Sequence, residues 1–147
     1  MSLDSLEIKE KIHADNFEKT SFLGVFPFYV IPAIHRFPAS LVINTHPKRY
    51  PGEHWLAVFF DSKDSCDFFD SFGFPPKYYD LEKYINRFSK NYMFNRIQLQ
   101  SNDSDLCGYY CIQFILLKAR CFSLDDIISL FDTKDHDLND FLIKNVL

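Results

Sequence analysis

Four side chains in this sequence suit acyl transfer if the fold brings them together: Cys107, His54, Asp70 and Gln100. Cys107 stands in Asp103-Ser104-Asp105-Leu106-Cys107-Gly108-Tyr109-Tyr110-Cys111, where several good N-cap residues precede a strongly apolar segment. A thiol in the first turn of a helix feels the positive end of the helix dipole. That favours the thiolate, the form that attacks carbonyls. Gly108, with no side chain, would leave room for a substrate carbonyl beside the sulfur. A buried structural cysteine is the competing reading, since free cysteine is among the most buried residue types.

A thiol nucleophile needs a base, and the base needs a third group to fix its tautomer. His54 opens the run His54-Trp55-Leu56-Ala57-Val58-Phe59-Phe60, and Asp70 ends Cys66-Asp67-Phe68-Phe69-Asp70. If the two runs pair as a hairpin, the start of one lies beside the end of the other, so His54 and Asp70 become neighbours. Asp67 is the rival carboxylate, but it sits nearer the turn. Gln100, seven residues before Cys107, could donate to an oxyanion together with the Cys107 N–H. Gln98 offers the same chemistry two residues earlier and would share its strand face.

The elements that must position these groups read as an α+β domain with a mixed central sheet. Residues 2 to 13 carry Leu3, Leu6, Ile8 and Ile12 near one helical stripe. From Phe22 to Val42 the chain is apolar but broken by Pro27, Pro32 and Pro38, a pattern of short strands and turns. Leu41 to Thr45 reads as a strand ended by Thr45-His46-Pro47. The turn Tyr50-Pro51-Gly52-Glu53 leads into the run opened by His54, and Asp61 to Ser65 is a five-residue hairpin loop. Pro75-Pro76 starts a segment with Leu81, Tyr84, Ile85 and Phe88 at helical spacing, and Phe94 to Gln100 alternates with a period near two. A helix is expected over Leu106 to Arg120. A Ser123–Asp126 capping box opens Leu124 to Phe131, and a last helix spans Leu138 to Val146.

At 147 residues, 47% hydrophobic and 18% aromatic, the chain has the length of one domain and ample material for a core. Its net charge of −4 and scattered cations (Lys48, Arg49, Lys118, Arg120) argue against nucleic acid as an obligatory partner. Met1 to Lys11 has no apolar core of signal-peptide length, and no apolar run reaches the length of a membrane span. The four cysteines, at 66, 107, 111 and 121, include no Cys-x-x-Cys pair. Free thiols in a reduced cytoplasmic or nuclear compartment are expected, with no metal and no cofactor. Cys111, one helical turn after Cys107, reads as a core residue. A papain-like order places the cysteine early, a caspase needs Gln-Ala-Cys, and a chymotrypsin-like cysteine protease needs two β-barrels; none fits.

Gly52-Glu53-His54-Trp55, Phe69-Asp70-Ser71-Phe72-Gly73-Phe74 and Gln100 followed by Cys107-Gly108 resemble adenain, the adenovirus endopeptidase, and its relatives the ubiquitin-like-protein proteases. The likeness, supported by Val42-Ile43-Asn44-Thr45, runs from about Phe22 to Phe114. It implies a thiol endopeptidase on an α+β fold whose nucleophile heads a buried helix. His54 would be the base, Asp70 the acidic member, Gln100 the oxyanion donor and Cys107 the nucleophile. Trp55 would line a narrow groove that favours small substrate residues such as glycine. The Cys-Gly-Tyr-Tyr-Cys form resembles adenain-like proteases of large DNA viruses and Maverick/Polinton-type transposons. That implies polyprotein processing, virion association and a polypeptide substrate. The acidic balance departs from the basic surface by which adenain uses DNA, and adenain's activating peptide maps onto no residue here. Two other readings remain: an isopeptidase acting on ubiquitin-like modifiers, and an inactive protease-like binding module.

Overall fold

The fold, a computed structural model, is described for residues 2–15, 21–45 and 54–147. The turns expected at His46-Pro47 and at Tyr50-Pro51-Gly52-Glu53, with the cations Lys48 and Arg49, lie outside the described residues.

Alternating side chains on the apolar runs build one five-stranded sheet with two buried faces. Its strands are β1 (Phe22–Pro27), β2 (Ala39–Asn44), β3 (Trp55–Ser62), β4 (Ser65–Phe69) and β5 (Tyr92–Phe94), in that spatial order. The outer pairs β1–β2 and β4–β5 are parallel, and the inner pairs β2–β3 and β3–β4 are antiparallel. On one face, Val42, Trp55, Ala57, Phe59 and Phe69 join a core with Ile8, Ile12, Tyr110, Phe114 and Ile115. On the other, Leu41, Ile43, Leu56, Val58, Phe60 and Phe68 pack with Tyr79, Leu81 and Ile85. Burial of both faces explains why β3 reads as a nearly unbroken apolar run. The architecture is the α+β fold with a mixed sheet expected from the sequence.

The β3–β4 hairpin is tighter than its sequence suggests. Ser62 pairs with Ser65 across Lys63-Asp64, and a bulge between Phe60 and Ser62 absorbs the extra residue. Five α-helices accompany the sheet among the described residues. In α1 (Ser5–His13), Asp4 and Glu7 form a capping box. The helix α2 (Glu82–Phe88) follows a 3-10 turn at Pro76–Tyr79, and α3 (Cys107–Ala119) carries the thiol. A box of Ser123 and Asp126 caps α4 (Leu124–Ile128), while Asp135 caps α5 (His136–Asn145).

Two expectations are corrected. The N-cap of α3 is Leu106, with no side-chain cap, and the hydroxyl and carbonyl of Ser104, two residues earlier, accept from the Gln100 amide. The segment after β5 is not a strand. Asn95 leaves the ladder to grip the Asp70 backbone, and the N–H groups of Leu99 and Gln100 both donate to the Ser71 carbonyl, at 2.8 and 3.1 Å.

Gly73 holds the turn after Asp70 at a φ of 81°. A Cβ there would sit 2.8–2.9 Å from the backbone of Ile97 and Gln98. Both the left-handed conformation and the backbone contact resist a side chain. Gly73→Ala is expected to cost about 2–4 kcal/mol, read as a lower urea midpoint with an unchanged m value. A midpoint equal to the parent's would show that this crossing can open.

Candidate active site

The ladder between β3 and β4 ends with Ala57 opposite Phe69, and one more pair in the same register would set Leu56 opposite Asp70. His54 and Asp70 therefore become diagonal neighbours, and Nε2 of His54 meets Oδ1 of Asp70 at 2.7 Å. Asp70 is fully buried, so its oxygens must be satisfied by protein donors. The Phe72 N–H donates to Oδ1 at 3.0 Å; the Tyr79 hydroxyl and the Phe74 N–H donate to Oδ2 at 2.5 and 3.2 Å. Behind it, Asn95 holds the Asp70 main chain from both sides: its Oδ1 accepts from the Asp70 N–H at 3.0 Å and its Nδ2 donates to the Asp70 carbonyl at 2.6 Å. The rival Asp67 is elsewhere, paired with Lys118 at 2.6 Å.

Cys107 opens α3 against the same end of β3. The Trp55 N–H points at its sulfur, with N···Sγ 3.5 Å, and the His54 imidazole is in hydrogen-bonding contact with the thiol. With Nε2 committed to Asp70, Nδ1 is the ring nitrogen left for sulfur. Two successive residues thus serve the thiol, His54 by its ring and Trp55 by its backbone. Burial pushes the imidazole's pKa down, but the Asp70 bond, then the Cys107 bond and the charges of both outweigh it. The net result is a rise from 6.5 to about 9. Phe72 stacks on the ring with centroids 4.9 Å apart and fixes its plane.

The other sequence-derived residues are placed differently. Gln100 is buried near the site, but its amide is engaged: Oε1 accepts from the Ser71 hydroxyl at 2.6 Å, and Nε2 donates to the carbonyl and hydroxyl of Ser104 at 2.8 and 2.9 Å. Gln98 does not share a strand face with it; its Nε2 donates to the Gln100 carbonyl and to Asn102 Oδ1, both at 2.8 Å. Trp55 is 2% exposed, and its indole N–H donates to the Leu3 carbonyl at 3.0 Å. The space spared by Gly108 goes to the protein's own chain, since a Cβ there would lie 3.3 Å from Leu3 and Ile8 and 3.4 Å from Trp55. Gly108 therefore admits the segment at the start of α1 instead of opening a gap beside the sulfur.

Tyr79, Asn95, Ser71 and Phe72 hold the site in place, and sequence reasoning missed them as site residues. A Phe-Asp-Ser-Phe-Gly-Phe run shows no sign that its backbone will wrap its own carboxylate. Cys111 and Cys66 are buried free thiols, and burial pushes the pKa of each up, with nearby anions adding to it; neither is poised to react. Among the described residues no three His, Cys, Asp or Glu side chains gather as metal ligands, and no helix is long and apolar enough to cross a membrane.

No protein-family model matches the chain, and no curated protein does either. Its likeness to known proteins lies in the fold. The crystal structure of the ASFV pS273R protease superposes with a TM-score of 0.59 at 18% identity, over 97% of this chain and 66% of that one. The present chain thus spans slightly less than two thirds of the protease's length. The central domain of the Lpg1148 protein from Legionella pneumophila superposes with a TM-score of 0.55 at 14% identity, over 97% of this chain and 94% of that domain. The chain has the fold found in a viral protease.

Proposed function

We propose that this protein is a cysteine endopeptidase of the adenain-like kind. The supporting observation is the line from Cys107 through the His54 ring to the buried Asp70 carboxyl, in the order of a nucleophile, its base and an orienting group. In this reading His54 Nδ1 takes the Cys107 proton and sulfur attacks the peptide carbonyl. The imidazolium then returns a proton to the leaving amine, and water hydrolyses the thioester by the reverse exchange. Asp70 fixes the ring so that Nδ1 faces sulfur, and Asn95 and Tyr79 fix Asp70. The oxyanion is bound by the Cys107 N–H, one of the first helical amides that have no intrahelical acceptor. Gln100 joins it by swinging one N–H away from the Ser104 hydroxyl. The likeness to a viral protease fold and the resemblance to adenain favour polyprotein cleavage as the biological task.

Cys107→Ala is expected to abolish cleavage of a peptide library, and iodoacetamide is expected to label Cys107 quickly near neutral pH. A wild-type protein that neither cleaves nor labels would be a binding module. Gln100→Ala should lower kcat by about 10²–10³ with little change in KM; an unchanged kcat would leave the oxyanion to backbone amides alone.

The raised imidazole pKa sets a pH window. Because the folded value, about 9, lies above the unfolded 6.5, the stabilisation from this contact is fully present below about pH 6.5 and is lost as pH rises through about 9. The alkaline limb of kcat/KM should fall in the same region, since the leaving amine needs the imidazolium proton. Asp70→Asn removes the largest of the raising interactions and should move that limb to lower pH. A limb that stays in place would assign it to another group.

A further inference from the structure

The chemistry of the leaving group gives a direction to the surface around His54. In the reading above, on which this inference rests, the imidazole hands its proton to the departing nitrogen. The substrate chain beyond the scissile bond therefore leaves on the imidazole side of the sulfur. The surface on that side begins with Phe72, which lies flat on the His54 ring. Phe72 also lines a cleft of about 320 Å³ together with Phe74, Tyr78, Gln98 and Asn102.

The lining of this cleft combines two chemistries. Phe74 and Tyr78 are 41% and 40% exposed, and their rings stack with centroids 4.4 Å apart and planes 13° from parallel. They form a flat apolar ledge that the fold leaves uncovered although both cores are filled elsewhere. Two amide side chains line the same cleft. Gln98 Nε2 is spent on the Gln100 carbonyl and Asn102 Oδ1, so the acceptor Gln98 Oε1 and the donor Asn102 Nδ2 lie beyond those bonds. Stacked rings with an amide donor and acceptor in the same lining match one large apolar side chain and its flanking peptide groups. The ledge is tied to the catalytic machinery through the main chain as well, because the Phe72 and Phe74 N–H groups both donate to Asp70.

We propose that this cleft receives the first residues of the leaving segment and selects an aromatic or large aliphatic side chain there, with Phe74 and Tyr78 as the specificity-determining residues. The apolar ledge disfavours acidic residues at the same position, since a carboxylate would be desolvated against two rings, and no cation is among the described lining residues.

The test compares cleavage of a peptide library randomised at the first two positions after the scissile bond by wild type, Phe74→Ala and Tyr78→Ala. It runs beside hydrolysis of a glycyl-peptide methyl ester, whose leaving methoxide is too small to reach the ledge. Circular dichroism melts confirm folding of the exposed-site variants. The proposal expects wild type to prefer Phe or Leu over Asp by about 10-fold or more in kcat/KM at one of these positions. Each variant should shrink that ratio several-fold, whatever its absolute rate. Ester hydrolysis with a flat library profile, or with a ratio that both variants keep, overturns the ledge and leaves the proteolytic reading standing. If wild type hydrolyses neither ester nor peptide and iodoacetamide spares Cys107, both fall together.

Discussion

Burying a carboxyl group with no contact to water is tolerable only when its oxygens are satisfied by protein donors. Asp70 is such a group, and the site is built around meeting that demand. Two main-chain amides from the turn that follows it, a tyrosine hydroxyl from the 3-10 turn and the His54 ring converge on its two oxygens. The same donors fix the path of residues 71 to 74, and Gly73 in that path lets the segment before Gln98 pass close by. One carboxyl thus organises the His54 ring, the turn and the approach to Gln100.

The sheet supplies the rest. β3 is central and buried on both faces, so its first residues cannot shift without disturbing two cores. That rigidity is imposed where it is useful: His54 and Trp55 sit at the strand's entry, one presenting a ring and the next a backbone N–H to the sulfur. α3 brings the sulfur to them, packed along the same face through Tyr110, Phe114 and Ile115. The imidazole and the thiol are therefore held by two elements that are both packed into the core, β3 at its entry and α3 at its first turn.

The parts of this arrangement that the sequence disclosed are those governed by short-range rules. Strand alternation and a turn between two apolar runs were enough to make His54 and Asp70 neighbours, even though the turn is two residues and not five. The capping box of Ser123 and Asp126 is local in the same way. What stayed hidden depends on where separate elements dock. The alternation of residues 94 to 100 imitates a strand, but the ladder ends at Phe94 and the Ser71 carbonyl captures two successive N–H groups further on. Trp55 and Gly108 read as groove residues because nothing in the stripe of α1 tells that its start will settle on them. Leu106 stands at the N-cap of α3 although better capping residues precede it, and one of these, Ser104, is held by Gln100.

The last helix adds a consequence for the order of events during synthesis. Asn139 on α5 donates to the carbonyls of Leu99 and Asp132, and Asp140 accepts from the Tyr110 hydroxyl, so the residue before Gln100 and the first turns of α3 are both braced from the far end of the chain. A nascent polypeptide that has emerged as far as Arg120 already holds the thiol, the imidazole and the carboxyl, but not the two side chains that clamp their supports. Two of the hydrogen bonds that brace Leu99 and Tyr110 therefore come from residues synthesised after the thiol, so this corner of the fold closes only once the chain through Asp140 is in place.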